Sequence, residues 1–141
     1  MASTEDGLPL FRAGGGDLGL MRQRIEEARQ LADIDDRAVR LYLLGRGLLD
    51  CDDPTTGAEA VTVLAEAMQA GSAHAAMDLG QILLGEATSS TEVQAALALI
   101  ERAAKGELVE AQVLLGKILM ENPATEQLGR EWLHRAEQQG P

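Results

Sequence analysis

The chain has 141 residues, a length that suits one domain with a sizeable core. Hydrophobic residues make up 45% of it and aromatic residues only 2%, so the core must consist of small and aliphatic side chains, which favours packed helices over a β-sandwich. The formal net charge is -11 and no segment is basic, which argues against a nucleic-acid partner.

Residues 1–16, MASTEDGLPLFRAGGG, are predicted to form a flexible tail. The tail is acidic where a secretory signal needs positive charge, and no stretch of the chain approaches the roughly 18 apolar residues of a membrane span. Cys51 is the only cysteine, which excludes an internal disulfide and allows a reducing compartment. These features predict a cytoplasmic protein with no membrane contact.

Residues 17–35 are predicted to contain an amphipathic helix. Its apolar stripe consists of Leu18, Met21, Ile25, Ala28 and Leu31, at the three- and four-residue spacing of one helix face. We expect this helix to cover the first of the repeats described next. A free helix that recruits a partner is the alternative.

Residues 36–141 contain an internal repeat marked by glycines, with boundaries at about 36–71, 72–106 and 107–141. The pair Leu-Gly recurs at spacings of 35 and 36 residues, ending at Gly45, Gly80 and Gly116. A second series, spaced by 35 and 34 residues, comprises Gly71, Gly106 and Gly140. Eleven positions before each member of the second series stands a small residue: Ala60, Ala95 and Gly129.

Each repeat is predicted to be a pair of helices. The first helix of each pair contains the Leu-Gly pair, and the second ends at a glycine of the second series, which would adopt the left-handed conformation that follows many helices. The second helices are predicted to begin at N-capping threonines: Thr56, Thr91 and Thr125.

This pattern, A-x-A-x-x-x-L-G followed by a cap and A-x-x-W-x-x-x-A-A-x-x-G, resembles the Sel1-like repeat, a relative of the tetratricopeptide repeat. Residues 73–106 match it best, and the matches in all three repeats cover about three quarters of the chain. The matching positions of the best repeat are Ala73, Ala75, Leu79, Gly80, Ala95, Ala103, Ala104 and Gly106.

The resemblance implies an all-α fold, an α/α superhelical solenoid of about three hairpins with the N-terminal amphipathic helix at one end. It also implies that Gly45, Gly80 and Gly116 lie where the two helices of each hairpin approach most closely. The first helices would line a concave groove, an apolar strip bordered by Arg46 and Lys117 that holds a peptide or helix of a partner. The implied partner-binding residues are Tyr42, Arg46, Leu49, Met77, Gln81, Leu84, Val113, Lys117 and Met120. The alternative for Leu49, Leu84 and Met120 is an ordinary role in the core.

The sequence offers no recognisable catalytic, metal or cofactor constellation. His74 and His134 lie 60 positions apart, far from metal-ligand spacing. The acidic loop DCDDP lacks the glycine and the distant glutamate of a calcium loop. Its acidic groups would raise the pKa of the Cys51 thiol and so make it less reactive.

We therefore expect a non-enzymatic bacterial protein, an adaptor or regulator that binds another protein, with a monomer favoured. One alternative is an immunity or chaperone-like protein that neutralises a secreted effector; a basic effector would favour it, because the chain is acidic. Another rests on residues 7–11, GLPLF, which resemble the short ligand of the bacterial sliding clamp except that a glycine replaces the expected glutamine.

Overall fold

The computed structural model describes residues 15–51 and 53–139, and all the regular secondary structure in these two ranges is α-helical. This confirms the predicted all-α class. The predicted tail lies outside the described ranges except for its last two residues. The helices are α1 (Gly15–Arg29), α2 (Ile34–Leu49), α3 (Thr56–Gln69), α4 (Ala73–Glu86), α5 (Ser90–Lys105), α6 (Val109–Met120) and α7 (Glu126–Gln139).

The first compact unit extends to Ser72 and contains α1, α2 and α3. Helix α1 packs on α2, and α2 packs on α3. The predicted apolar stripe of α1 is buried at Leu18, Met21, Ile25 and Ala28. Helix α1 ends at Arg29, before Leu31. Asp33 caps α2 by accepting hydrogen bonds from the backbone N–H groups of Asp35 and Asp36.

Two bidentate ion pairs join α1 to α3. Arg22 contacts the Glu59 carboxylate through Nε at 2.8 Å and Nη2 at 2.7 Å. Arg29, two turns later, contacts Glu66 through Nε at 2.8 Å and Nη2 at 3.2 Å. Because both pairs join residues 37 apart, α1 and α3 run in the same direction, and two fork-like contacts hold their relative register.

The second unit begins at Ala73 and contains α4, α5, α6 and α7. Helix α4 packs on α5, α5 on α6, and α6 on α7. The side chain of Gln112 on α6 is fully buried, and its Nε2 donates to the Ala104 carbonyl oxygen of α5 at 3.0 Å. Each pair of consecutive helices that the repeat predicts is therefore a packed hairpin: α2–α3, α4–α5 and α6–α7.

Glycines of the Leu-Gly series lie at the closest approach within each hairpin, as predicted. A Cβ added at Gly45 would lie 2.8 Å from Leu64 Cδ2, and one at Gly80 would lie 2.5 Å from Ile100 Cγ1. A Cβ at Gly116 would lie 2.7 Å from Leu133 Cγ. A side chain at any of these positions would push the two helices of its hairpin apart.

These contacts also correct the predicted alignment of the middle repeat. Four residues before Leu64, Ile100 and Leu133 stand Ala60, Ala96 and Gly129, which are all buried. Ala95, the predicted equivalent, is exposed. Ala96 stands 16 positions after Gly80, whereas Ala60 stands 15 positions after Gly45, so the contacting position on α5 is displaced by one residue.

The second helices do not use the predicted threonine caps. The side-chain oxygens of Asp53, Ser89 and Asn122 accept backbone N–H groups two or three residues later, and each stands 11 residues before the side chain that meets the hairpin glycine. The hydroxyls of Thr56 and Thr125 donate back to the carbonyl oxygens of Asp53 and Asn122. Thr91 lies inside the first turn of α5.

Two glycines of the second series differ from each other, and the third, Gly140, lies outside the described residues. Gly71 has a φ of +115°, as predicted for the residue after a helix. Gly106 has a φ of -81°, and Glu107 takes the left-handed position with a φ of 70°. The backbone hydrogen bonds explain this difference. The N–H of Leu108 donates to the Ala103 carbonyl oxygen, and the N–H of Glu107 donates to the Ala104 carbonyl oxygen, so the left-handed residue that follows α5 is one position after Gly106.

Candidate partner-binding surface

The nine predicted partner-binding residues lie on the three first helices, α2, α4 and α6. Each helix carries three of them, and their exposure follows the same order each time. The first and third residue of every set are half-buried, and the middle one is exposed. The half-buried residues are Tyr42, Leu49, Met77, Leu84, Val113 and Met120; the exposed ones are Arg46, Gln81 and Lys117.

Four residues separate the first and middle members of each set, and three separate the middle and third. Side chains at these spacings lie on one face of a helix. Each of α2, α4 and α6 therefore brings its own three residues together as one strip. Arg46 and Lys117 belong to different compact units, and each is the polar centre of its own strip.

Met120 is partly engaged in its own hairpin. A Cβ added at Gly129 of α7 would lie 2.7 Å from Met120 Cγ, so the side chain of Met120 packs against the second helix at its closest approach. This contact supports the core interpretation for Met120.

A further surface, which the sequence did not indicate, lies between α1 and α2 in the first unit. It is a groove of about 470 Å³ lined by α1 and the residues just after it on one side and by α2 on the other. Its lining residues are Arg24, Glu27, Ala28, Leu31, Arg40, Leu43 and Leu44. Leu43 is 54% exposed, and Val39, one turn earlier, is 57% exposed. The apolar pair at a four-residue spacing is the signal that could have indicated this surface.

The ionisable groups with shifted pKa values belong to structural contacts. The hydrogen bonds from Arg22 lower the pKa of the Glu59 carboxyl. The Thr55 hydroxyl and backbone N–H lower the pKa of Asp53, because both donate to its ionised form. Within residues 15–51 and 53–139, His, Cys, Asp and Glu side chains form no group of three that could hold a metal ion.

The GLPLF segment at residues 7–11 lies outside the described ranges. No helix within those ranges is both long and apolar enough to cross a membrane. Comparison of the chain with protein-family models, with curated proteins and with solved structures finds no match.

Proposed function

We propose that the chain is a Sel1-like repeat protein that acts as a non-enzymatic interaction module in the bacterial cytoplasm, with its hairpins stacked as a solenoid. The observation that carries the proposal is the recurrence of one surface pattern on α2, α4 and α6. Half-buried apolar or aromatic side chains flank an exposed polar centre on every one of these helices. Packing of a core explains the partly buried residues at these spacings, but it does not require a long polar side chain at the exposed position between them on all three helices.

The chemistry of these strips suits a peptide or helix of a partner protein. Partly exposed side chains such as Tyr42, Met77 and Leu84 offer apolar contact area, and methionine adapts to irregular partner surfaces. The guanidinium of Arg46 and the ammonium of Lys117 are suited to a carboxylate. Both side chains are positively charged, whereas the formal net charge of the chain is -11.

The test is a quantitative affinity purification that compares three forms of the full chain. The first is the wild type, and the second carries Arg46→Glu with Lys117→Glu. The third is a charge-matched control with Lys105→Glu and Arg130→Glu, which lie on second helices and are 66% and 61% exposed. We expect a partner that is depleted at least about tenfold from the Arg46/Lys117 double variant and retained by the control.

The interaction would then be repeated with the two purified proteins. Equal retention of every co-purified protein by both double variants would contradict binding through these strips.

The overall acidity of the chain favours one second candidate, an immunity or chaperone-like protein for a basic effector. Charge spread over the whole surface attracts a cationic partner without a dedicated strip. A basic partner that both double variants retain, and that dissociates as salt is raised from about 0.1 M to 1 M, would favour this candidate.

A further inference from the structure

The groove between α1 and α2 is lined on the α2 side by residues other than the strip of Tyr42, Arg46 and Leu49. Three side chains dominate its α2 wall: Arg40, Leu43 and Leu44. Leu44 is buried, whereas Arg40 and Leu43 are exposed. The groove therefore presents an apolar floor with an unusually accessible leucine at its edge.

Helix α6 shows what covers this side of a first helix elsewhere in the chain. When Gly45 of α2 is aligned with Gly116 of α6, Arg40 corresponds to Ala111 and Leu43 to Leu114. Ala111 is fully buried and Leu114 half-buried. The same face is thus covered in one hairpin and open in the other.

The difference follows from which helices precede each hairpin. In the second unit, α6 follows a complete hairpin, α4–α5, and packs on α5. In the described part of the first unit, α2 follows α1 alone. In the first unit α1 packs on α2 as α5 packs on α6, but it leaves the face of Arg40 and Leu43 exposed.

The charges beside the groove indicate the chemistry of its occupant. Arg24 forms an ion pair with Glu27 at 3.4 Å, and Arg40 forms no ion pair within the described residues. Two guanidinium groups thus accompany one carboxylate around the leucines, on a chain of formal net charge -11.

We propose that the groove binds an amphipathic α-helix of a partner protein, whose leucine-like stripe contacts Leu31 and Leu43 and whose flanking carboxylates face Arg40 and Arg24. A helix fits because its backbone hydrogen bonds are satisfied internally and its apolar stripe would cover the leucine that α1 leaves exposed. This surface is separate from the nine-residue strips of the proposed function, and its test does not depend on them.

The experiment uses three synthetic 15-residue helical peptides with one identical leucine stripe. Their flanking positions are all Glu, all Gln or all Lys. Binding of each fluorescent peptide to the full chain is measured by anisotropy at low and at physiological salt. We expect the Glu peptide to bind at least about tenfold more tightly than the Lys peptide, with the preference reduced by salt.

Two variants of the groove have matched controls on α7. Leu43→Glu is paired with Leu128→Glu, since Leu128 is a leucine of similar exposure, 47%. Arg40→Glu is paired with Arg130→Glu. Circular dichroism and melting temperature establish that all four variants fold. We expect each groove variant to weaken the Glu peptide at least about tenfold and each α7 variant to leave its affinity unchanged within about twofold.

Three results would overturn the proposal. The first is equal affinity for the three peptides, or no binding by the wild-type chain at millimolar concentration. The second is an equal loss of affinity in the groove variants and their controls. The third is binding that appears only after residues 1–14 are removed, which would assign the groove to the chain's own N-terminal segment. The double variant Arg46→Glu, Lys117→Glu should bind the Glu peptide with at most a small loss from its changed net charge.

Discussion

The close contact at Gly80 is best tested by two alanine substitutions within α4. Gly80→Ala and Gly85→Ala remove the same helix-destabilising glycine, and each gains up to about 1 kcal/mol of helix propensity. The two sites differ in what the new Cβ meets. At Gly85 no heavy atom lies within 4 Å, whereas at Gly80 the Cβ would lie 2.5 Å from Ile100 Cγ1 and 2.9 Å from the Ala96 carbonyl oxygen.

The magnitude follows from which neighbour can move. The Ile100 side chain is fully buried, and the Ala96 oxygen belongs to the backbone of α5, so α4 and α5 would have to separate. Overpacking of this kind costs roughly 1–3 kcal/mol. We therefore expect Gly85→Ala to stabilise the protein slightly and Gly80→Ala to destabilise it. Because the propensity gain is common to both variants, the gap between their free energies of unfolding should equal the overpacking cost, about 1–3 kcal/mol.

Urea denaturation, followed by circular dichroism and by the fluorescence of the single tryptophan, Trp132, measures both variants in the unit that contains them. Gly116→Ala should fall between the two, because its tightest contacts are with the half-buried Leu133 side chain, although the Gly129 oxygen lies 3.0 Å away. A Gly80→Ala variant as stable as Gly85→Ala would refute the steric explanation of the Leu-Gly series.

Three further predictions concern single residues. Gly71→Ala should lower the free energy of unfolding by about 1 kcal/mol, whereas Gly106→Ala should leave it unchanged or raise it slightly. The reason is that, of these two glycines, only Gly71 has a positive φ. Equal effects in urea denaturation would contradict this. Glu59→Gln should flatten the loss of thermal stability below pH about 4.3. The pKa of Glu59 is lower in the folded chain than in the unfolded chain, so its stabilising contribution is complete above the unfolded pKa and is lost as the pH falls through the folded pKa. An unchanged pH profile would contradict this. Gln112→Met should be neutral or stabilising by up to about 1 kcal/mol. The buried Oε1 of Gln112 accepts no hydrogen bond within the described residues, and the Ala104 oxygen would keep its hydrogen bond from the N–H of Glu107. A loss of stability above about 1 kcal/mol would mean that a bound water satisfies Oε1.

The hairpin contacts could be predicted from the sequence because steric exclusion acts on single residues. Gly45, Gly80 and Gly116 are the positions where any side chain would collide with the neighbouring helix, so the period of the glycines reflects the period of the contacts. The spacing finds the Leu-Gly period, and the resemblance to the Sel1-like repeat supplies the expectation that the helices approach most closely there.

The register of α5 could not be predicted in the same way. The segment around Ala95 and Ala96 offers alanine at both positions, and either could serve as the small residue against Gly80. The choice depends on where α5 begins, and Ser89 determines that by accepting the backbone N–H of Glu92. The same displacement makes Glu107, instead of its glycine neighbour, the left-handed residue.

The candidate surfaces also differ in whether they lie on one helix or between two. The strips on α2, α4 and α6 are predicted from the resemblance to tetratricopeptide-type stacks, and each lies on a single helix, where spacing groups its residues. The groove at Leu43 could not be located in this way, because its exposure depends on what precedes α2 in space. From periodicity alone, Leu43 is one of several leucines on α2; only the packing of α1 shows that it is 54% exposed.

Helix α1 packs against α2 in the first unit. The buried part of its stripe consists of Leu18, Met21, Ile25 and Ala28. Arg22 and Arg29 join the helix to α3 by bidentate ion pairs. Because it covers only one side of α2, it also forms a wall of the groove beside Leu43. The ion pairs that fix α1 would preorganise that wall, and a preformed wall reduces the entropic cost of binding a partner helix.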